Sequence, residues 1–135
     1  MYICNIVWPE EKEAIMKLLL SFMIEVVDPL NITFPKEINN PLKTAKSFLN
    51  GDVSQEDYES MRDLCWKYID DRDSIREFEL TDILFARLGI CLSSADKDCD
   101  QAGEKLAWFF EVLDYLQIDT SHAETLMQQQ FSFSA

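Results

Sequence analysis

Six carboxylates fall within residues 70–82: Asp70, Asp71, Asp73, Glu77, Glu79 and Asp82. Carboxyl groups at this density open several lines of chemistry. Held in pairs they can divide the work of general acid and general base, and together they can act on a sugar or a phosphate through metal ions. Left unpaired on a surface they attract a basic partner. The catalytic use lacks supporting groups: helical di-metal sites draw on Glu-x-x-His pairs from facing helices, and no such pair occurs. The plain reading is a solvated corner between two helices. The functional reading is a patch that recognises a basic partner, with Trp66, Tyr68 and Phe78 as aromatic anchors. Arg72 and Arg76 lie inside the run and temper its self-repulsion.

Other chemistry-bearing constellations are incomplete. Asp96-Lys97-Asp98-Cys99-Asp100 opens like a calcium loop, but Gln101 stands where the turn needs glycine and Ala107 where a bidentate glutamate is needed. It reads as an acidic connection into a helix N-terminus. His122, the only histidine, lies beside Asp119 and Ser121. A triad converges from separate parts of a fold, so sequence neighbours point instead to a capped helix start with an exposed histidine. Cys4, Cys65, Cys91 and Cys99 form no CxxC pair. Two disulfides are arithmetically open, but Cys65 and Cys91 sit in apolar helical stretches and read as small buried hydrophobes in a reducing compartment. Zinc would need ligand pairs that are absent. No metal, cofactor or catalytic residue is expected.

The charge is strongly acidic and uneven. Twelve Lys and Arg face twenty-five Asp and Glu, a formal charge of −13. Residues 52–82 carry eleven acidic and four basic groups, and residues 94–124 eight and two, whereas residues 1–51 are nearly balanced. Such a surface repels nucleic acid and anionic membranes, attracts basic partners and speeds their encounter. Solubility alone is the bland explanation.

The elements that must position these groups are helical. At 135 residues the chain fits one domain, able to bury roughly two thirds of its unfolded surface without a disulfide or metal. Only three glycines and four prolines are present, few for an all-β chain. Residues 78–92, FELTDILFARLGICL, are apolar most of the way round and predict the helix against which the rest packs. Its start lies near Ser74 or near Thr81, and Gly89 either ends it or marks a close helix contact. Residues 1–8 form a short strand or extended arm. A first helix begins with Pro9 and runs to about Val27, with Lys17, Ser21 and Glu25 as one solvated stripe and Asp28-Pro29 as its stop. Residues 28–40 are the longest irregular link. Asn40 caps a second helix that Asn50-Gly51 ends, and Ser54 caps a third. Residues 101–117 predict a fifth helix. Residues 119–135 form a marginal, fraying last helix with a capping box at Ser121 and Glu124. The expectation is a single all-α domain, a five- to six-helix bundle or irregular helical domain. With no signal peptide and no membrane-length apolar run, a cytoplasmic location follows.

Residues 45–71, AKSFLNGDVSQEDYESMRDLCWKYIDD, resemble a helical element of some bacterial immunity proteins. There a short helix ends FL-x-G, and a loop leads to a capped helix with an R-D-x-x-W-x-Y-like face. Small size, acidity and helical character are also similar to the immunity proteins of contact-dependent growth inhibition and related polymorphic toxin systems. The resemblance covers about a fifth of the chain and transfers no contact residues. It implies a non-enzymatic protein that binds a cognate toxin domain, a basic nuclease, through its acidic surface. The alternatives are a helical adaptor or regulatory domain and a small hydrolase using the clustered carboxylates. The residues taken as the partner site are Asp70, Asp71, Asp73, Glu77, Glu79, Asp82 and Trp66. Oligomeric state is left open.

Overall fold

A computed structural model describes residues 3–95 and 101–134; the calcium-loop-like run 96–100, with Cys99, lies outside the described residues. Six α-helices carry the fold: α1 (Lys12–Val27), α2 (Pro41–Leu49), α3 (Gln55–Asp70), α4 (Thr81–Leu92), α5 (Ala102–Tyr115) and α6 (Ser121–Gln130). Two short strands, β1 (Ile6–Val7) and β2 (Ser132–Phe133), pair antiparallel with Ile6 opposite Phe133. The domain is all-α, with the strands tying its two ends together.

The apolar stretch does form the packing centre. From Ile83 to Leu92 every residue of α4 except Phe85 is buried, and the helix touches α1, α2, α3 and α5. Gly89 lies inside the helix at a close contact. A Cβ placed on it would meet Cys65 Sγ at 2.8 Å and Pro41 Cγ at 2.9 Å. Absence of a side chain there is what lets α2 and α3 approach α4. Tyr58 fastens the far end of the same helix. Its ring stacks on Phe48 at 4.0 Å, and its fully buried hydroxyl donates to the Leu92 carbonyl (2.6 Å) and accepts from the Ala95 N–H (3.1 Å).

Local signals account for most boundaries. Asn40 accepts from the Lys43 N–H and Ser54 from the Asp57 N–H, as N-caps do. α2 closes in a Schellman motif: Gly51 has φ +83°, its N–H reaches the Phe48 carbonyl, and the Asp52 N–H reaches Ser47. On α1 Lys17 and Glu25 are exposed and Ser21 half-buried, while Leu19, Leu20, Phe22 and Val27 are wholly buried.

Two boundaries differ from expectation, and a third settles a start that the sequence left open. α1 begins at Lys12 and not at Pro9, because Glu11 is still extended (φ −83°, ψ 132°) and Trp8 packs edge-on against Phe131. Of the two starts open for α4, Thr81 is the observed one. Ser121 does not cap α6: it is already helical, and Asp119 Oδ1 accepts both its N–H and its hydroxyl. The tail expected to fray is anchored instead. Ala123, Met127 and Phe131 are buried, and the Ser134 N–H donates to the Asn5 carbonyl.

Candidate functional site

The six carboxylates of residues 70–82 divide into two sets with opposite electrostatic standing. Asp70, Asp71 and Asp73 sit at the C-terminal end of α3. The chain leaves that helix through a Schellman-type turn, with Asp73 left-handed at φ +50°, its N–H on the Asp70 carbonyl and the Ser74 N–H on Ile69. Here the free carbonyls make the helix end partially negative, so three carboxylates are unfavourable for folding. Asp71 is relieved by Lys67 one turn back, at 2.7 Å. Asp70 and Asp73 are exposed and make no ion pair among the described residues.

The second set sits at the N-terminal end of α4, where negative charge is favourable. Glu77 Oε2 accepts the N–H groups of Glu79 (2.6 Å) and Leu80 (3.2 Å), the residues that lead into the helix. Asp82, in the first turn, accepts the Tyr68 hydroxyl at 2.7 Å. Burial, then that bond to Asp82, raises the Tyr68 phenol above its ordinary pKa. Glu77 and Asp82 therefore serve the fold as well as the surface, while Glu79 is exposed.

Two arginines hold this corner in shape. Arg72 reaches Glu37 at 3.2 Å, donates to the Tyr68 carbonyl and lies 3.5 Å over the Tyr68 ring centroid. Arg87, on α4, is almost wholly buried, at 3% exposure. One of its terminal nitrogens donates to the Ser74 and Ile75 carbonyls, and its guanidinium lies 4.3 Å from the Phe78 ring centroid. Its Nε has no hydrogen-bond partner, and burial pulls its pKa down. Arg87 thus pins the link between α3 and α4 from beneath.

Beside the carboxylates runs a groove that the sequence reading did not assemble. One part of it, a cleft of about 430 Å³, is lined by Leu30, Ile32, Leu84, Phe85, Leu116 and Ile118, with Glu79, Thr81, Tyr115 and Gln117 completing the lining. Thr81 and Phe85 also line the adjoining hollow, which holds Glu37, Tyr68 and Asp82. A third hollow shares Glu37 and Tyr68 and reaches Asp71. The groove therefore crosses the ends of α3 and α5, the start of α4 and the link at residues 30–37. A third Schellman motif shapes its far wall: Gln117 has φ +60°, its N–H meets Asp114 and the Ile118 N–H meets Leu113. Ile75, Leu80 and Tyr115 are about half exposed, at 51%, 55% and 47%.

Of the residues singled out from sequence, Asp71, Glu79 and Asp82 line the groove, whereas Asp70, Asp73 and Glu77 lie on the adjoining corner. Trp66 is half-buried, packs against the core and is not a lining residue of the groove. Phe78 turns inward onto Arg87, Trp108 and Tyr115 and is no free anchor. The missed residues come from α4, the end of α5 with the turn after it, and the irregular link, where Leu30, Ile32 and Phe34 alternate with polar neighbours. That period-two pattern was the available signal. His122 is exposed, and the Ser121 hydroxyl bonds Asp119. Among the described residues no group of three or more His, Cys, Asp or Glu side chains could hold a metal ion, and no helix is long and apolar enough to cross a membrane. Comparison with known protein families, curated proteins and solved structures finds no match for this chain.

Proposed function

We propose that this chain is an immunity protein that binds and neutralises a cognate toxin domain, a basic nuclease, in the cytoplasm through the acidic corner between α3 and α4. The observation that carries the reading is the placement of Asp70 and Asp73. Among the described residues they make no ion pair, and they stand at the negative end of α3, where they oppose folding and where a cationic partner would relieve them. Function is a recurrent reason for keeping residues that cost stability, and attraction of a basic surface is the use their charge allows. The −13 net charge adds long-range steering toward such a partner. A nuclease fits because the surface that holds a polyanionic substrate is itself basic. The resemblance of residues 45–71 to immunity proteins points the same way.

The test is protection in cells. The product of the gene immediately upstream is expressed with and without this protein. Rescue of growth by the intact protein, and loss of rescue by Asp70→Lys/Asp71→Lys/Asp73→Lys, is the expected result. Absence of binding and of protection would sink the proposal. A self-associating regulatory domain would instead show a homodimer by light scattering and no effect of that product.

A further inference from the structure

We infer that the cleft between the 30–37 link, α4 and the end of α5 seats one aliphatic or aromatic side chain carried on a basic segment of a protein partner. The inference rests on the reading that the chain captures a basic protein, and it adds where and how the contact is anchored. The lining sets the apolar Leu30, Ile32, Leu84, Phe85, Leu116 and Ile118 beside polar groups. At about 430 Å³ the cleft is far larger than the space a water molecule needs, and its volume lies within the range of ordinary ligand pockets. Glu79 is the one formally charged lining residue among the described residues, so apolar contact and a single carboxylate do the recognising.

The rim supplies the sign. Glu79 is exposed at the mouth, and Asp82 lies in the adjoining hollow across Thr81 and Phe85. No lysine or arginine lines the cleft itself. Along the rest of the groove Lys67 pairs with Asp71 and Arg72 with Glu37, while Lys36, exposed in the adjoining hollow, makes no ion pair among the described residues. At the cleft mouth itself a partner meets the Glu79 carboxylate beside apolar surface. Lysine or arginine flanking a leucine or phenylalanine satisfies both, whereas an acidic or purely polar segment satisfies neither. Leu80 and Tyr115, each about half exposed beside the mouth, extend the apolar contact beyond the cleft.

The probe is a fluorescein-labelled dodecapeptide of alternating lysine and leucine with one tryptophan, and its control has glutamate at each lysine. Binding is read by anisotropy, and the site by amide shift changes in the unaltered protein. Expected are saturable binding of the basic peptide alone, shifts centred on Thr81, Leu84, Phe85 and Ile118, and at least tenfold weaker binding by Thr81→Trp. Thr81 is exposed at the first turn of α4, so the indole crowds the mouth without entering the core. If Thr81→Trp unfolds, the shift map alone decides. Binding that Asp70→Asn/Asp73→Asn weakens while Thr81→Trp and the cleft amides stay unaffected overturns the cleft and leaves the acidic corner standing. No binding of the basic peptide, or equal binding of the acidic one, overturns the cleft and removes the charge argument beneath the proposed function.

Discussion

Replacing Asp70 and Asp73 with asparagine should stabilise the fold while weakening partner capture. Both carboxylates lie in or just past the last turn of α3, where a negative charge costs about 0.3–1 kcal/mol at low ionic strength. They are exposed, so the lower half of that range applies, and the pair should return about 1 kcal/mol. For a domain of this size, that corresponds to a rise of about 3–5 °C in Tm. Asparagine keeps the left-handed tolerance that φ +50° at residue 73 requires. Leaving Asp71 in place preserves its 2.7 Å pair with Lys67. The assay is thermal unfolding at 20 mM and at 1 M sodium chloride. At 1 M the screening length is about 3 Å, so most of the gain should disappear. A fall in Tm at low salt, or a gain indifferent to salt, refutes the view that these residues oppose folding electrostatically.

Gly89→Ala adds a Cβ at 2.8 Å from Cys65 Sγ and 2.9 Å from Pro41 Cγ. Overpacking of about 1–3 kcal/mol should outweigh a helix-propensity gain of about 1 kcal/mol, and Cys65→Ala should partly rescue it in a double-mutant cycle by urea denaturation. Tyr58→Phe leaves the buried Leu92 carbonyl and Ala95 N–H without their partner and should cost about 2–3 kcal/mol by the same assay. Burial pushes the Cys65 and Cys91 thiols up to about 12. In the unfolded chain they ionise near their ordinary value, so their contribution is intact below about pH 8.5 and is lost as pH rises toward 12. Cys65→Ala/Cys91→Ala should flatten that alkaline decline, and at pH 8 iodoacetamide should modify the exposed Cys4 while sparing both buried thiols.

The helical framework was legible because its determinants are local or periodic. Asn40 and Ser54 marked their helix starts, Asn50-Gly51 marked a stop, and the apolarity of residues 83–92, interrupted by Arg87, announced the central helix. Capping near Ser121 was misread because Asp, Thr and Ser in a row all qualify as caps, and only the backbone decides which is used. The arrangement of the acidic corner was hidden for a different reason. The sequence shows six carboxylates but not that a left-handed Asp73 separates an unfavourable set from a favourable one. Arg87 is a lone charge within the apolar stretch, and it is buried beneath the loop it holds. The cleft was least visible of all, since its walls come from residues 30–32, 79–85 and 115–118, far apart along the chain.

The proposed role is tested most directly by calorimetric titration of the upstream gene product's toxin domain into the protein and into Asp70→Asn/Asp73→Asn. Loss of two attractive charges should weaken binding about tenfold, with the difference shrinking as salt rises. The same variant should melt at a higher temperature. Equal affinity of the two proteins, or no heat of binding to either, would contradict the assignment of the α3–α4 corner as the surface that captures a basic toxin.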